Sequence, residues 1–265
     1  MHDWGSITRA ERDARYNNTE AVHDSQTYMA GLREASAARC AAAPGALNQV
    51  YGPGANNKVD LFPAAEAAPC LVFIHGGYWQ RNSREMFAAL ADGVRAHGWS
   101  AAFPGYTLAP DATLTQIVAE VAAALDLVRA TVTGRIVLSG WSAGGHLTAM
   151  ALGHPAVHSG LAISGVFELG PIRDTYLNEK LRLTDDEIEQ LSPLRLPVGP
   201  KEMAVAYGTA ELPPLVADSR ALNYCRSAAH APGALIPCAG ENHFSILNEL
   251  RDPNGLLTRA LLALA

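Results

Sequence analysis

The chain has 265 residues, of which 49% are hydrophobic and 17% are charged, and its formal net charge is −6. This length and this apolar fraction are typical of a globular protein that builds a full core without disulfide or metal staples. The negative charge and the lack of a basic run argue against nucleic acid as a partner.

The compartment is predicted from the first residues and from the cysteines. The string MHDWGSITRA is polar and charged, which does not fit a secretory signal peptide. No apolar run reaches the roughly 18 residues that a membrane-spanning helix needs, so we expect no membrane partner. The cysteines do not have the spacing of metal ligands, which is typical of free thiols in a reducing, cytoplasmic compartment. They are Cys40, Cys70, Cys225 and Cys238.

The N-terminal part of the chain predicts helices followed by a strand pair. Residues 1–45 carry no strand pattern and are rich in helix-forming residues, which predicts an N-terminal helical segment. Residues 47–51 and 58–62 have strand patterns, and the string GPGANN between them favours a turn. We therefore expect an antiparallel pair at the start of the sheet.

From residue 70 onward, apolar strand patterns alternate with helical patterns. The strands fall at 70–74, 100–103, 135–139, 161–164, 203–207 and 234–239, and the helices between and after them include 83–97, 113–131 and 244–264. Such alternation predicts parallel strands with crossover helices on both faces of a sheet. We predict one α/β domain over residues 1–265 with a mostly parallel, twisted sheet of about eight strands. The alternation breaks at 167–200, which predicts a small cap-like insertion over the site.

Residues 135–147, RIVLSGWSAGGHL, combine a strand, a sharp turn and a helix. The turn has the Gly-x-Ser-x-Gly pattern, in which the glycines let the strand and helix backbones pass closely and the serine hydroxyl projects from the sheet edge. Ser142 is therefore the candidate nucleophile. The N–H of Ala143, at the start of the helix, is a candidate donor to an oxyanion.

A serine nucleophile needs a base, an acid that orients the base, and donors to the oxyanion. In the doubly wound hydrolase layout these follow strands in the order oxyanion loop, serine, acid, histidine. Gly76, Gly77 and Tyr78 follow an early strand and are candidate oxyanion amides. His243 lies on the loop after the last predicted strand and is the candidate base.

Two carboxylates compete as the acid that orients His243. Glu211 lies three residues after Gly208, on the loop where this acid belongs. Asp218 lies seven residues further on, at the predicted start of a helix, where an acidic side chain also interacts favourably with the helix dipole. Loop position favours Glu211 and residue type favours Asp218, so we predict Glu211 and keep Asp218 as the alternative.

Several strings spread over nearly the whole chain match one known family. They are HGGYWQ at 75–80, GYTLAP at 105–110, GWSAGGHL at 140–147, SGVFELGPI at 164–172, LTDDEIEQLSP at 183–193 and NHF at 242–244, with YN near 16 and KVDLF near 58. On these strings the chain resembles the kynurenine formamidase (arylformamidase) branch of the α/β-hydrolases, a branch close to the hormone-sensitive-lipase-like esterases.

The resemblance implies roles for residues at matching positions. It makes Ser142 the nucleophile, His243 the base, and residues 76–78 the oxyanion loop. The family carries Asp in a Gly-x-x-Asp-Ser-Pro string, which here reads GTAELP at 208–213. The resemblance therefore also selects Glu211, and the extra methylene of glutamate is a departure from the family pattern.

These residues predict a serine hydrolase that cleaves a small amide or ester by acyl transfer and needs no metal or organic cofactor. The resemblance implies an aryl formamide, such as N-formylkynurenine, as substrate. Tyr78, Trp79 and Trp141 are candidates to bind an aromatic leaving group, although core packing explains such aromatics equally well.

Three alternatives share the same residues. The chain fits a general carboxylesterase, an amidase for a small heterocycle-derived amide, or a non-catalytic binding module on the hydrolase fold. The retained serine and histidine argue against the last of these. Apolar helix faces also allow a homodimer, for which the sequence locates no interface.

Overall fold

The structure is a computed structural model that describes residues 4–42 and 47–265. Its first part is helical: a 3-10 turn at Trp4–Ser6 precedes α1 (Arg9–Ala14), α2 (Asn18–Ala21) and α3 (Ser25–Ala41). These helices agree with the helical segment predicted for residues 1–45, of which 1–3 and 43–45 lie outside the described ranges.

The described residues form one sheet of eight strands in the spatial order β1-β2-β4-β3-β5-β6-β7-β8. The strands are β1 (Gln49–Val50), β2 (Lys58–Phe62), β3 (Cys70–Ile74), β4 (Ser100–Pro104), β5 (Ile136–Trp141), β6 (Val157–Ile163), β7 (Met203–Gly208) and β8 (Leu235–Cys238). The β1–β2 and β2–β4 pairs are antiparallel, and the other pairs are parallel. The predicted mostly parallel α/β sheet, opened by an antiparallel pair, is confirmed.

Helices cover both faces of the sheet because its central strands are buried on both sides. In β3, Leu71 and Phe73 point into one core, which they share with residues of α4 (Ala91–Arg95) and α12 (Leu256–Ala263). Val72 and Ile74 point into the opposite core, with residues of α5 (Leu114–Thr131) and α6 (Ala143–Ala151). This alternation follows from the two-residue period of a strand.

The segment between β6 and β7 is built from short helices. It contains α7 (Gly170–Arg173), α8 (Asn178–Leu181), α9 (Asp185–Leu191) and a 3-10 turn at Pro193–Arg195. The start of α9 has a capping box: the Thr184 side chain accepts from the N–H of Glu187, whose side chain accepts from the N–H of Thr184. After β7 the chain continues in α10 (Pro213–Ala228).

Two predicted helices differ in detail. Residues 84–90 form a 3-10 helix before α4, and here the hydroxyl of Ser36 accepts from the N–H of Ala89 and donates to the carbonyl of Met86, in place of regular helical bonds. The predicted closing helix is divided into a 3-10 turn at Ser245–Leu247, α11 (Asn248–Arg251) and α12. Pro253 lies at this break, and its ring and missing N–H prevent a helix from continuing.

The close contact between α6 and β3 can be tested by measuring the free energy of unfolding of glycine variants. A Cβ atom at Gly144 would collide with the carbonyl oxygen of Ile74 and lie 2.8 Å from that of His75. We expect Gly144→Ala to lower the free energy of unfolding by about 1–3 kcal/mol, because helix and strand must separate. Gly153→Ala is the control, since nothing lies within 4 Å of its added Cβ. Denaturant unfolding that gives equal stabilities for the two variants would contradict this close packing.

Candidate active site

Ser142 lies at the junction of β5 and α6 in an unusual backbone conformation. Its φ is 59° and its ψ is −119°, a region that costs a non-glycine residue about 1–3 kcal/mol. The conformation is held in place by packing, because Gly76 lies directly against the carbonyl of Trp141 and the Cβ of Ser142. The junction therefore has the strained strand-to-helix geometry that the sequence predicts.

His243 lies beyond the end of β8 on the same edge of the sheet as Ser142. Its Nδ1 is 3.1 Å from the Oε2 of Glu211. The indole N–H of Trp141 donates to the carbonyl oxygen of His243 at 2.7 Å, and the two ring centroids are 4.8 Å apart. These contacts fix the imidazole and leave Nε2 as the nitrogen for proton exchange.

The Glu211 carboxylate is fully buried and has partners on both oxygens. Oε1 accepts hydrogen bonds from the hydroxyl of Ser164 and from the N–H of Gly208, both at 2.6 Å. Oε2 then faces His243. The structure thus brings the predicted acid and the predicted base together, and three hydrogen bonds orient the acid.

Asp218, the alternative acid, binds the backbone of a different loop. Its Oδ2 accepts from the N–H groups of Phe167 and Glu168, at 2.6 and 3.0 Å. Burial raises the pKa of Asp218 to about 7, with these N–H donors opposing the shift and the Glu168 carboxylate adding to it. Asp218 therefore anchors the start of the segment between β6 and β7, and it is not the carboxylate in contact with His243.

The loop after β3 has left-handed backbone conformations at three consecutive residues. The φ angles are 124° at Gly77, 51° at Tyr78 and 58° at Trp79. Within the described ranges, no hydrogen bond has the N–H of Gly77, Tyr78 or Ala143 as its donor. These amides belong to the loop after β3 and to the residue that follows Ser142, and they remain available to an oxyanion.

His75 braces this loop. Its Nδ1–H donates to the carbonyl of Gly76 at 2.9 Å, and Asn82 donates to the same carbonyl at 3.1 Å. The imidazole is stacked between the rings of Tyr106 and Phe87, and burial lowers the pKa of His75 to about 4. His75 is thus a neutral structural residue.

A cavity of about 400 Å³ opens in front of Ser142 and His243. Much of its wall comes from α2 and α3. The Tyr78 hydroxyl ties the start of α2 to the loop after β3: it donates to the carbonyl of Tyr16 and accepts from the side chain of Asn18. The described lining residues are Asn18, Thr19, Ser25, Gln26, Met29, Ala30, Arg33, Gly77, Tyr78, Arg81, Asn82, Trp141, Ser142, His243 and Phe244.

The segment at 167–200 contributes none of these lining residues, in contrast to its predicted place over the site. It lies instead against the N-terminal helices and the loop after β3. The N–H of Tyr176 donates to Asp13, and the carbonyl of Leu177 accepts from Gln80. The segment therefore supports the cavity wall from behind.

The three predicted aromatic substrate contacts do not share one environment. Tyr78 and Trp141 line the cavity. Trp79 is fully buried, with its ring edge-on to His146 of α6 at 5.0 Å between centroids. The backbone turn at Tyr78 and Trp79 directs this indole into the core, so the structure does not place Trp79 on the substrate-binding surface, in contrast to the prediction.

Two contributors to the site were missed in the sequence. Ser164, which donates to Glu211, lies just after β6. Because β6 is next to β7, the strand before Glu211, the position of Ser164 at the end of β6 was the sequence signal for this contact. The N-terminal contribution had a weaker signal in the YN string near residue 16, whose function the sequence did not reveal.

No group of three or more His, Cys, Asp or Glu side chains in ranges 4–42 and 47–265 is arranged to hold a metal ion. None of the helices in the same ranges has the length and apolar character needed to span a bilayer.

The sheet, the strand-to-helix junction and the residues at the sheet edge define an α/β-hydrolase site. The model of the alpha/beta hydrolase family matches residues 71–260, and the chain belongs to this family. The protein is a hydrolase.

Curated relatives are similar over nearly the whole chain. The chain is 25% identical to the kynurenine formamidase of Danio rerio over 288 residues, covering 99% of this chain and 98% of that protein. It is 26% identical to the kynurenine formamidase of Salmo salar over 291 residues, with the same coverage. The resemblance to kynurenine formamidases is therefore confirmed.

Solved structures are also similar. A candidate thioesterase from Silicibacter sp. TM1040 is 28% identical, with a TM-score of 0.85 over 95% of this chain and 99% of that one. Esterase B from Lactobacillus rhamnosis has a TM-score of 0.68 and 19% identity over 92% and 96% of the chains, which shows a common fold.

Proposed function

We propose that the protein is a serine hydrolase that works by acyl transfer, with Ser142 as nucleophile, His243 as base and Glu211 as orienting acid. The observation that carries this proposal is the contact between the buried Glu211 carboxylate and His243 at the edge of the cavity that Ser142 also lines. These groups have the three complementary roles that acyl transfer at a serine requires.

In the first half of the reaction, His243 Nε2 takes the proton from the Ser142 hydroxyl as its oxygen attacks the substrate carbonyl. The Nδ1–H stays hydrogen-bonded to Glu211, which stabilises the imidazolium. The amides of Gly77, Tyr78 and Ala143 are placed to stabilise the negative oxygen of the tetrahedral intermediate, and loss of one such donor costs about 3–4 kcal/mol. His243 then protonates the leaving amine or alcohol.

In the second half, water attacks the acyl group on Ser142. His243 removes a proton from this water and returns it to the serine oxygen as the acid product leaves. His243 thus carries each proton, from serine to the leaving group in the first half and from water to serine in the second.

An aryl formamide, with N-formylkynurenine as the model compound, is the substrate class we propose. The similarity to two fish kynurenine formamidases over nearly their full length supports it. The aromatic rings of Tyr78, Trp141 and Phe244 at the cavity offer apolar surface to an aryl leaving group. A cavity of about 400 Å³ fits a ligand of this size.

A carboxylesterase is the second candidate, because several esterases share the fold. The same serine, histidine and glutamate would also serve an amidase for small heterocycle-derived amides. Substrate comparison separates these activities, whereas the arrangement of the catalytic residues does not.

The role of the acid is tested by kinetics. We expect Glu211→Gln to lower kcat about a thousandfold to ten-thousandfold, because the amide cannot hold the imidazole in the required protonation state. Asp218→Asn is the matched control, since its amide oxygen still accepts from the loop at 167–168, and we expect less than about a threefold change. A silent Glu211→Gln with a large loss in Asp218→Asn would reverse the assignment.

The role of Ser142 has its own test against a non-catalytic binding module. A fluorophosphonate probe should label the protein and should fail to label Ser142→Ala, because only an activated serine reacts with it. Equal labelling of both proteins, or of neither, would contradict the proposed nucleophile.

The substrate class is tested with N-formylkynurenine against p-nitrophenyl acetate and butyrate. We expect kcat/KM to be highest for the formamide despite its less reactive carbonyl, because its leaving group is larger than nitrophenol and makes more contacts in the cavity, which lowers the free energy of the transition state. Ser142→Ala gives the background rate for each compound. Undetectable formamide turnover together with fast butyrate cleavage would favour the carboxylesterase.

A further inference from the structure

Two exposed arginine residues are among those that line the cavity in front of Ser142. Arg33 comes from α3, and Arg81 comes from the loop that follows the oxyanion amides. Neither forms an ion pair with any of the described residues. Other arginines of this chain do pair with carboxylates: Arg9, Arg39, Arg84, Arg173, Arg195 and Arg251.

The charge of the cavity is opposite to that of the chain. No Asp or Glu is among the described residues that line it, so Arg33 and Arg81 are its two permanently charged groups. The whole chain has a formal net charge of −6. A concave surface that keeps positive charge in an acidic protein attracts anions and concentrates them at the site.

Arg81 is held close to the reaction centre. The backbone N–H of Arg81 donates to the carbonyl of Gly77 at 3.2 Å, which ties the backbone of Arg81 to the proposed oxyanion loop. Its guanidinium carbon is 6.0 Å from the centroid of the Tyr78 ring. Burial raises the pKa of Tyr176, and the nearby positive charge of Arg81 opposes this rise. Neither partner is a carboxylate, so the positive charge is positioned without being neutralised.

We propose that Arg81 and Arg33 bind a carboxylate on the leaving group of the substrate and so determine specificity. This inference rests on the proposed formamidase activity, because a formyl group has no atom that can carry a charge. The anion must then belong to the amine that leaves. A guanidinium presents a planar fork of donors that matches a carboxylate, which favours such binding over that of a neutral leaving group.

The test uses two esters that share an acetyl group and differ in the charge of the leaving group, para-acetoxybenzoate and its methyl ester. We expect Arg81→Gln and Arg33→Gln each to lower kcat/KM for the carboxylate roughly three- to tenfold more than for the methyl ester. The loss should appear as a higher KM with little change in kcat, because the carboxylate contact is made equally in the bound substrate and in the transition state. Added salt should weaken only the preference for the anion.

Two matched variants control for charge and structure. Arg182→Gln removes one positive charge from an exposed turn away from the cavity, and we expect it to keep the wild-type preference. Arg81→Lys keeps the charge but not the fork, and should retain part of the preference.

The proposal is overturned if the wild type shows no salt-sensitive preference for the anion, or if Arg81→Gln lowers both rates equally, as a purely structural residue would. Para-formamidobenzoate, a formamide whose leaving amine carries the carboxylate, reports separately on the proposed function. Failure to cleave para-formamidobenzoate, with the charge preference among the acetyl esters intact, would refute the formamidase activity and leave the anion site standing.

Discussion

The close contact between the end of β3 and the first turn of α6 is the constraint on which the site depends. Gly144 lies against the carbonyl of Ile74, and Gly76 lies against Trp141 and Ser142. The two loops that carry the nucleophile and the oxyanion amides are therefore packed against each other rather than joined by flexible side chains. This packing keeps Ser142 in its strained conformation, which an isolated turn would relax.

Residues around this contact hold Glu211, His243 and the cavity wall in place. Glu211 is held by Ser164 and by the N–H of Gly208, and it in turn orients His243. On the opposite side, the Tyr78 hydroxyl binds the N-terminal helices that enclose the cavity. The segment between β6 and β7 contacts α1, through the hydrogen bond from the Tyr176 N–H to Asp13. Parts of the chain far apart in sequence thus determine the shape of the substrate space.

The sequence predicts most of the sheet and the order of the catalytic residues, because local patterns encode them. The different periods of strands and helices predict the elements, and the Gly-x-Ser-x-Gly turn marks Ser142. The order of the strands then predicts the loops on which Glu211 and His243 lie. The part of the cavity wall that α3 forms leaves no comparable signal, since Arg33 and Ser142 line the same cavity only through tertiary packing. The same holds for the inward direction of Trp79, which depends on three left-handed residues in succession.

Ser142, His243 and Glu211 are proposed to act as one unit. A double-mutant cycle measures this directly, with kcat/KM determined for the wild type, Ser142→Ala, Glu211→Gln and the double variant. The effects of residues that act together are strongly non-additive, so the double variant should be about as slow as Ser142→Ala alone. Losses that multiply, with the double variant slower than Ser142→Ala by the full factor of Glu211→Gln, would contradict the account.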